Sequence, residues 1–219
     1  MTEQRRVDED LDALKNRLAV MSSLAEEQVR VAVDALLSGD RALTRRVPTD
    51  DQRHNDLQTD VDERCFTLLA LQQPVAVDLR FVVAASRVAV EERVGDLAVN
   101  IAEAAARYFN HPPVKPLIDL PRMGLIVQRR LASAMQAFLL RNAALAEEIL
   151  LQDDHLDQLK IQVFRELLTY MLGDSKTIEP GVDLILISRH LERIGDHATN
   201  IAEDAIFLID ARDVRHGGA

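Results

Sequence analysis

A twelve-residue stretch occurs twice in this chain, and it constrains the fold more than any other feature. Residues 92–103 read ERVGDLAVNIAE and residues 192–203 read ERIGDHATNIAE. Nine of the twelve positions are identical at an offset of 100, and Val94 against Ile194 is conservative. Two copies at that separation in 219 residues imply two structurally equivalent halves of about a hundred residues. Duplication would preserve an apolar face by itself. It does not explain why the polar positions match as well.

The surrounding sequence says what each half is made of. Leu11, Leu14, Leu18, Met21, Leu24, Ala25, Val29, Ala32 and Leu36 recur at steps of three and four, so residues 8–38 read as one amphipathic helix ending at Ser38-Gly39-Asp40. A short helix is expected over 40–47. Pro48 then breaks the pattern, and Thr49 or Asp50 caps a helix over 50–72. Gln72-Gln73-Pro74 reads as a turn, and residues 75–109 as a long helix. Four of the seven prolines, at positions 112, 113, 116 and 121, fall in the linker 110–121. Helices follow over 122–141, 143–172 and 179–211. Aromatics are 4% of the chain, there is no Trp, and no strand pattern competes, which excludes a sandwich or barrel. The expected fold is all-α: two tandem, pseudo-symmetric three-helix bundles with six principal helices, divided as 1–111 and 112–219.

Charge and cysteine usage narrow the function. A net charge of −10 without a Lys/Arg cluster disfavours nucleic acid and suits cations or a basic partner. One cysteine, Cys65, forms no internal disulfide and is read as a buried structural thiol. The N-terminal MTEQRRVDED lacks the apolar core of a secretory signal, and no apolar run reaches the roughly 20 residues that span a bilayer. The expected location is cytoplasmic.

On a helix the doubled motif separates its chemistry by face. With Glu92 at zero, Asp96, Asn100 and Glu103 fall at about 40°, 80° and 20°, while Val94, Leu97, Ala98 and Ile101 lie at about 140–240°. Glu192, Asp196, Asn200 and Glu203 repeat the stripe opposite Ile194, Ala198 and Ile201. A solvated face usually alternates acids with bases at i,i+4; here like charges stand at that spacing with no base on the stripe, twice. A cation taking carboxylate and amide oxygens resolves the repulsion. Gly95 and Gly195, each costing about 1 kcal/mol in a helix, point to close approach of a neighbouring helix or ligand.

One helix supplies one wall, so further ligands are expected from a neighbour. In the second half these are Asp153, Asp154 and Asp157, with His155 between them. In the first half Gln52, Arg53 and Asp56 take the matching places, with Asp60 one turn on and His54 a weaker candidate. The second site is therefore expected to bind more tightly. The first is expected to be weaker, empty, or shifted to the Asp56–Asp60 pair. His197 is read as a packed or interface histidine, and Arg45-Arg46 and Arg129-Arg130 as solvated. No phosphate-binding GxxxxGK[ST] loop or GxSxG elbow is present.

These motifs, with LLALQQPVAVDLR at residues 68–80, resemble the PhoU family of phosphate-signalling proteins over nearly the whole chain. The resemblance implies two three-helix bundles and bound metal: iron or zinc clusters in some members, magnesium or manganese in others. Family E(D)xxxD motifs match Glu92-Asp96, Glu192-Asp196 and Asp153-Asp157, whereas Gln52-xxx-Asp56 departs from them. It also implies a homodimer that links the ATPase of a phosphate transporter to a sensor histidine kinase, meets the membrane only through those partners and restrains phosphate uptake. An enzyme is not expected. The competing reading is a di-metal carboxylate oxidase or phosphohydrolase, which usually buries Glu-x-x-His ligands inside a bundle; no such motif is present. A purely structural module that receives basic partners on its acidic stripes is a third reading.

Overall fold

The computed structural model describes residues 2–91, 94–151, 154–212 and 214. Among them there is no strand. The helices are α1 (Thr2–Ser38), α2 (Arg41–Gln72), α3 (Ala76–Glu91), α4 (Val94–Tyr108), α5 (Asp119–Leu140), α6 (Ala143–Leu151), α7 (Asp154–Gly173) and α8 (Ile178–Asp210), with a 3₁₀ turn at Ser175–Thr177 before the last. Taken as consecutive pairs, α3 with α4 and α6 with α7, these make six principal helices among the described residues.

Local chemistry sets most boundaries. Gly39 closes α1 with φ +69° and its N–H donating to the Ala35 carbonyl at 3.0 Å. Asp40 then caps α2, its carboxylate accepting from the Ala42 N–H at 2.7 Å. Arg141, in the left-handed region, ends α5, and the Asn142 side chain accepts from the Leu145 N–H at 3.1 Å to start α6. Pro121 sits inside the first turn of α5, where a missing N–H costs no helical bond, so that helix begins three residues earlier than expected.

Pro48 does not break the chain. It lies inside α2, which runs unbroken from Arg41. A proline there removes the bond to the Thr44 carbonyl. Yet Thr44 and Val47 are 5% and 1% exposed, so burial of this turn outweighs the local preference. The expected cap at Thr49 or Asp50 is accordingly replaced by Asp40.

The first bundle packs α1 against α2 and α4, with α2 also lying on α3. The second packs α5 and α6/α7 against α8. The bundles are not strung apart. α8 also packs along α3 and α4, and α1 along α5, so the buried residues of both halves form one continuous core. Phe81 of α3 stacks on Phe138 of α5 with ring centroids 5.8 Å apart. Gly124 of α5 faces Val33 of α1 so closely that an added Cβ would lie 2.8 Å from Val33 Cγ1. Polar pairs register the same seam. Arg107 Nε meets Asp183 Oδ1 at 2.9 Å, Arg87 Nη1 meets Asp204 Oδ1 at 3.3 Å, and Arg80 donates to the Leu208 carbonyl at 3.1 Å. These pairings run in opposite directions along α3/α4 and α8, placing the two repeated motifs side by side and antiparallel, with Gly95 and Gly195 at about the same level.

Candidate metal centre

The motif helices are buried as the angular map requires. Val94, Leu97, Ala98 and Ile101 are at most 2% exposed, and Ile194, Ala198 and Ile201 are fully buried. Asp96 and Glu103 are exposed and Asn100 is half-buried; Asp196 is exposed, and Glu192, Asn200 and Glu203 are half-buried. The polar stripe thus runs along the open edge of each helix. Glu92 and Asp153 lie outside the described residues.

Gly195 fulfils the expectation of close approach. A Cβ there would lie 2.4 Å from Leu156 Cδ1 of α7 and 3.8 Å from Arg130 Nη1 of α5. Lacking a side chain, α8 lets α7 settle close alongside it. That contact brings Asp157 of α7 to Glu192 of α8.

What joins those two carboxylates is a third side chain. Lys160 donates to Asp157 Oδ1 at 2.7 Å and to Glu192 Oε1 at 2.5 Å. The Lys160 hydrogen bond, against a smaller opposing effect of burial, holds the Asp157 carboxyl below its usual range; Asp157 first and Glu192 second raise the lysine. Lys160 is the residue that sequence reasoning missed most plainly. It stands 32 positions from Glu192, and only the α7–α8 packing places it on the stripe.

The first bundle is arranged differently. Gln52 Nε2 donates to Asp56 Oδ1 at 3.0 Å. Asp60 is held by Arg17 Nε at 3.0 Å and Arg64 Nε at 2.9 Å. Two guanidiniums therefore engage the carboxylate expected to complete a shifted Asp56–Asp60 pair, and an ion bound there would have to displace them. The burial register also corrects the matching of the second helices. On α2 the buried positions are His54, Leu57, Val61 and Cys65; on α7 they are Leu156, Leu159, Val163 and Leu167. Their offset is 102, so Asn55, not Asp56, corresponds to Asp157, and Gln58 corresponds to Lys160. The apolar face decides register, and acid-to-acid matching had slipped it by one residue.

Other candidates divide as follows. His54 is 2% exposed at the position of Leu156, His155 is exposed, and His197 is half-buried. Cys65 is 1% exposed, and burial, with the charge of Asp62 second, pushes its thiol up to about 12. Arg45 and Arg46 are exposed, as expected. Arg130 is not: it is 5% exposed and donates to Thr199 Oγ1 at 2.9 Å, so the reading of it as solvated is corrected. Its face of α5 turns toward α8 because α5 and α8 pack along their length. Burial and then Arg193, Arg189 and Arg107 hold the His190 imidazole below its usual range, marking that side of α8 as positive.

Among the described residues no three His, Cys, Asp or Glu side chains already converge as a preformed metal cage. The donor chemistry of the second bundle still fits a hard or borderline cation. Two carboxylates from neighbouring helices already share one positive charge, and Asp196, Asn200 and Glu203 continue the oxygen stripe along α8. In the first bundle Asp96, Asn100 and Glu103 repeat this wall, and the α2 position that corresponds to Asp157 is Asn55 rather than a carboxylate. Among the described residues no helix is long and apolar enough to cross a membrane.

The family model for the PhoU domain matches residues 18–105 and 120–205. A Caulobacter vibrioides protein, "Phosphate-specific transport system accessory protein PhoU homolog", is 39% identical over 208 residues, covering 94% of this chain and 90% of its own. The crystal structure of PhoU from Pseudomonas aeruginosa superposes with a TM-score of 0.90 at 34% identity, over 94% of this chain and 99% of that one. The phosphate transport system regulatory protein PhoU from Streptococcus pneumoniae gives 0.87 at 28% identity, over 95% and 99%.

Proposed function

Because this chain belongs to the PhoU family, we propose that it is a cytoplasmic, non-enzymatic regulator of phosphate transport. In this reading it binds the ATPase subunit of a phosphate transporter and a phosphate-sensing histidine kinase, acts as a homodimer, and restrains uptake when phosphate is plentiful. The relatives' names support the phosphate-transport context. The observation that carries the reading beyond the names is the repeated acidic stripe, kept on the open edge of both motif helices while their other faces are buried.

We assign cation binding to that stripe. In the second bundle Asp157, Glu192, Asp196 and Asn200 would hold the ion, with Glu203 and Asp153 as further donors. In the first bundle Asp96, Asn100 and Glu103 would do so, with Glu92. A bound divalent or ferric ion would neutralise the carboxylates and tie neighbouring helices together. The stripe lies at a helix edge, away from the buried faces, and so supports a surface ion on a scaffold more than the enclosed reaction centre of a di-metal oxidase or phosphohydrolase.

The test is regulatory. In a bacterium lacking its own such regulator, this chain should restore repression of a phosphate-starvation reporter in phosphate-rich medium, and the transporter ATPase or the kinase should co-purify with it. Failure of both would overturn the proposal. For the metal, Glu192→Ala/Asp196→Ala should purify folded, by circular dichroism, with the second-bundle metal lost. Unchanged metal content would remove the assignment.

A further inference from the structure

The two carboxylates best placed to share a metal in the second bundle already share an ammonium. Lys160 Nζ lies 2.7 Å from Asp157 Oδ1 and 2.5 Å from Glu192 Oε1, linking α7 to α8. The side chains of Glu192, Lys160 and Asp157 are 16%, 31% and 58% exposed, so the link is shielded from water at its Glu192 end and open at Asp157. Position 58, its counterpart in the first bundle by the buried register, is glutamine.

We propose that Lys160 is a tethered cation that competes with the metal for the second-bundle acid pair, so that metal binding there is an exchange of one positive charge for another. The proposal rests on the reading of the stripe as a cation site.

Three physical consequences follow from the geometry. An ammonium on the same helix as Asp157 is always present at high local concentration, and an incoming ion must displace it before both carboxylates are available. The displaced side chain has somewhere to go. Lys160 lines an open groove of about 480 Å³ between α7 and α8, together with Phe164, Ile185, Ser188, Arg189 and Arg193, with Glu192 at its edge. Two guanidiniums, Arg189 and Arg193, border that groove, so moving the ammonium off its carboxylates and toward them is disfavoured, which lowers metal affinity further. Finally, the lysine keeps α7 pinned to α8 when no metal is bound. The second bundle then holds its shape in both states, while the first bundle has glutamine at the equivalent position 58 and no such lysine bridge.

This narrows the difference in affinity that carboxylate counting gives. The second bundle has more acids near its stripe, but one unit of their charge is already neutralised from within.

The experiment uses the full chain, stripped with chelator and titrated with Mn²⁺ by calorimetry. Lys160→Gln, which installs the residue of the first bundle, is expected to bind Mn²⁺ about tenfold more tightly at one site than the unaltered protein. Lys160→Arg, which keeps the cation, should show no gain. Asp196→Asn added to Lys160→Gln should remove the gain, placing it in the second bundle. A Lys160→Gln affinity equal to or weaker than that of the unaltered protein overturns the proposal while leaving the metal reading intact. So does a gain that survives Asp196→Asn. Absence of any Mn²⁺ binding to the unaltered protein and to Lys160→Gln alike defeats the metal reading and this proposal together. Thermal melting of each variant in chelator confirms that the chains compared are folded.

Discussion

At the scale of single residues, burial decides what chemistry a side chain can perform. Cys65 sits at 1% exposure on the core face of α2, and its thiol is pushed up to about 12. The raised value means the thiol form persists through neutral and moderately alkaline pH, and thiolate, the reactive species, is scarce until far above physiological pH. Native protein at pH 8 should therefore resist iodoacetamide, and protein in guanidinium should be labelled fully; rapid native labelling would contradict the packing described. Some residues were readable without the structure and some were not. Cys65, the apolar faces and the acidic stripes were legible because they depend on position along one helix. The Lys160–Glu192 and Arg130–Thr199 pairings were not, because each joins residues 32 or 69 positions apart on different helices. The Asn55–Asp157 correspondence was hidden for a related reason: acids attract the eye, while the buried face fixes register.

Elements obey local rules until packing overrules them. Gly39, Asp40 and Asn142 act where turn and cap chemistry predict. Pro48 does not, since Thr44 and Val47 on the same turn are buried. Gly195 makes the same point from the other side. Replacement by Ala should gain up to about 1 kcal/mol of helix propensity. The new Cβ, however, would fall 2.4 Å from Leu156 Cδ1, and overpacking typically costs about 1–3 kcal/mol. We expect Gly195→Ala to destabilise the protein by about 1–2 kcal/mol in urea unfolding, and to be neutral or stabilising in a Leu156→Ala background. Equal effects in both backgrounds would mean that the α7–α8 approach is not what the glycine serves.

The whole molecule is two copies of one bundle fused along a shared seam. Helices α1, α3, α4, α5 and α8 bury one continuous core, and Arg87 and Arg107 neutralise Asp204 and Asp183, which are 3% and 7% exposed within it. Removing a partner from a buried carboxylate costs about 3–5 kcal/mol when the pair is fully enclosed, and less when one member is half-exposed as Arg87 is. Arg87→Met should therefore cost about 2 kcal/mol, and both halves should melt in a single transition in every variant. Two separable transitions would show that the halves are independent. The seam also explains why the acidic stripes matter to the whole: it aligns the two motif helices antiparallel, so both stripes lie at the same level of one rigid body. An anomalous difference map from crystals grown with Mn²⁺ tests this account most directly. It should show a peak between α7 and α8 bounded by Asp157, Glu192 and Asp196, with Lys160 withdrawn into the neighbouring groove. A map without a peak there, in which Lys160 still bridges Asp157 and Glu192, would contradict it.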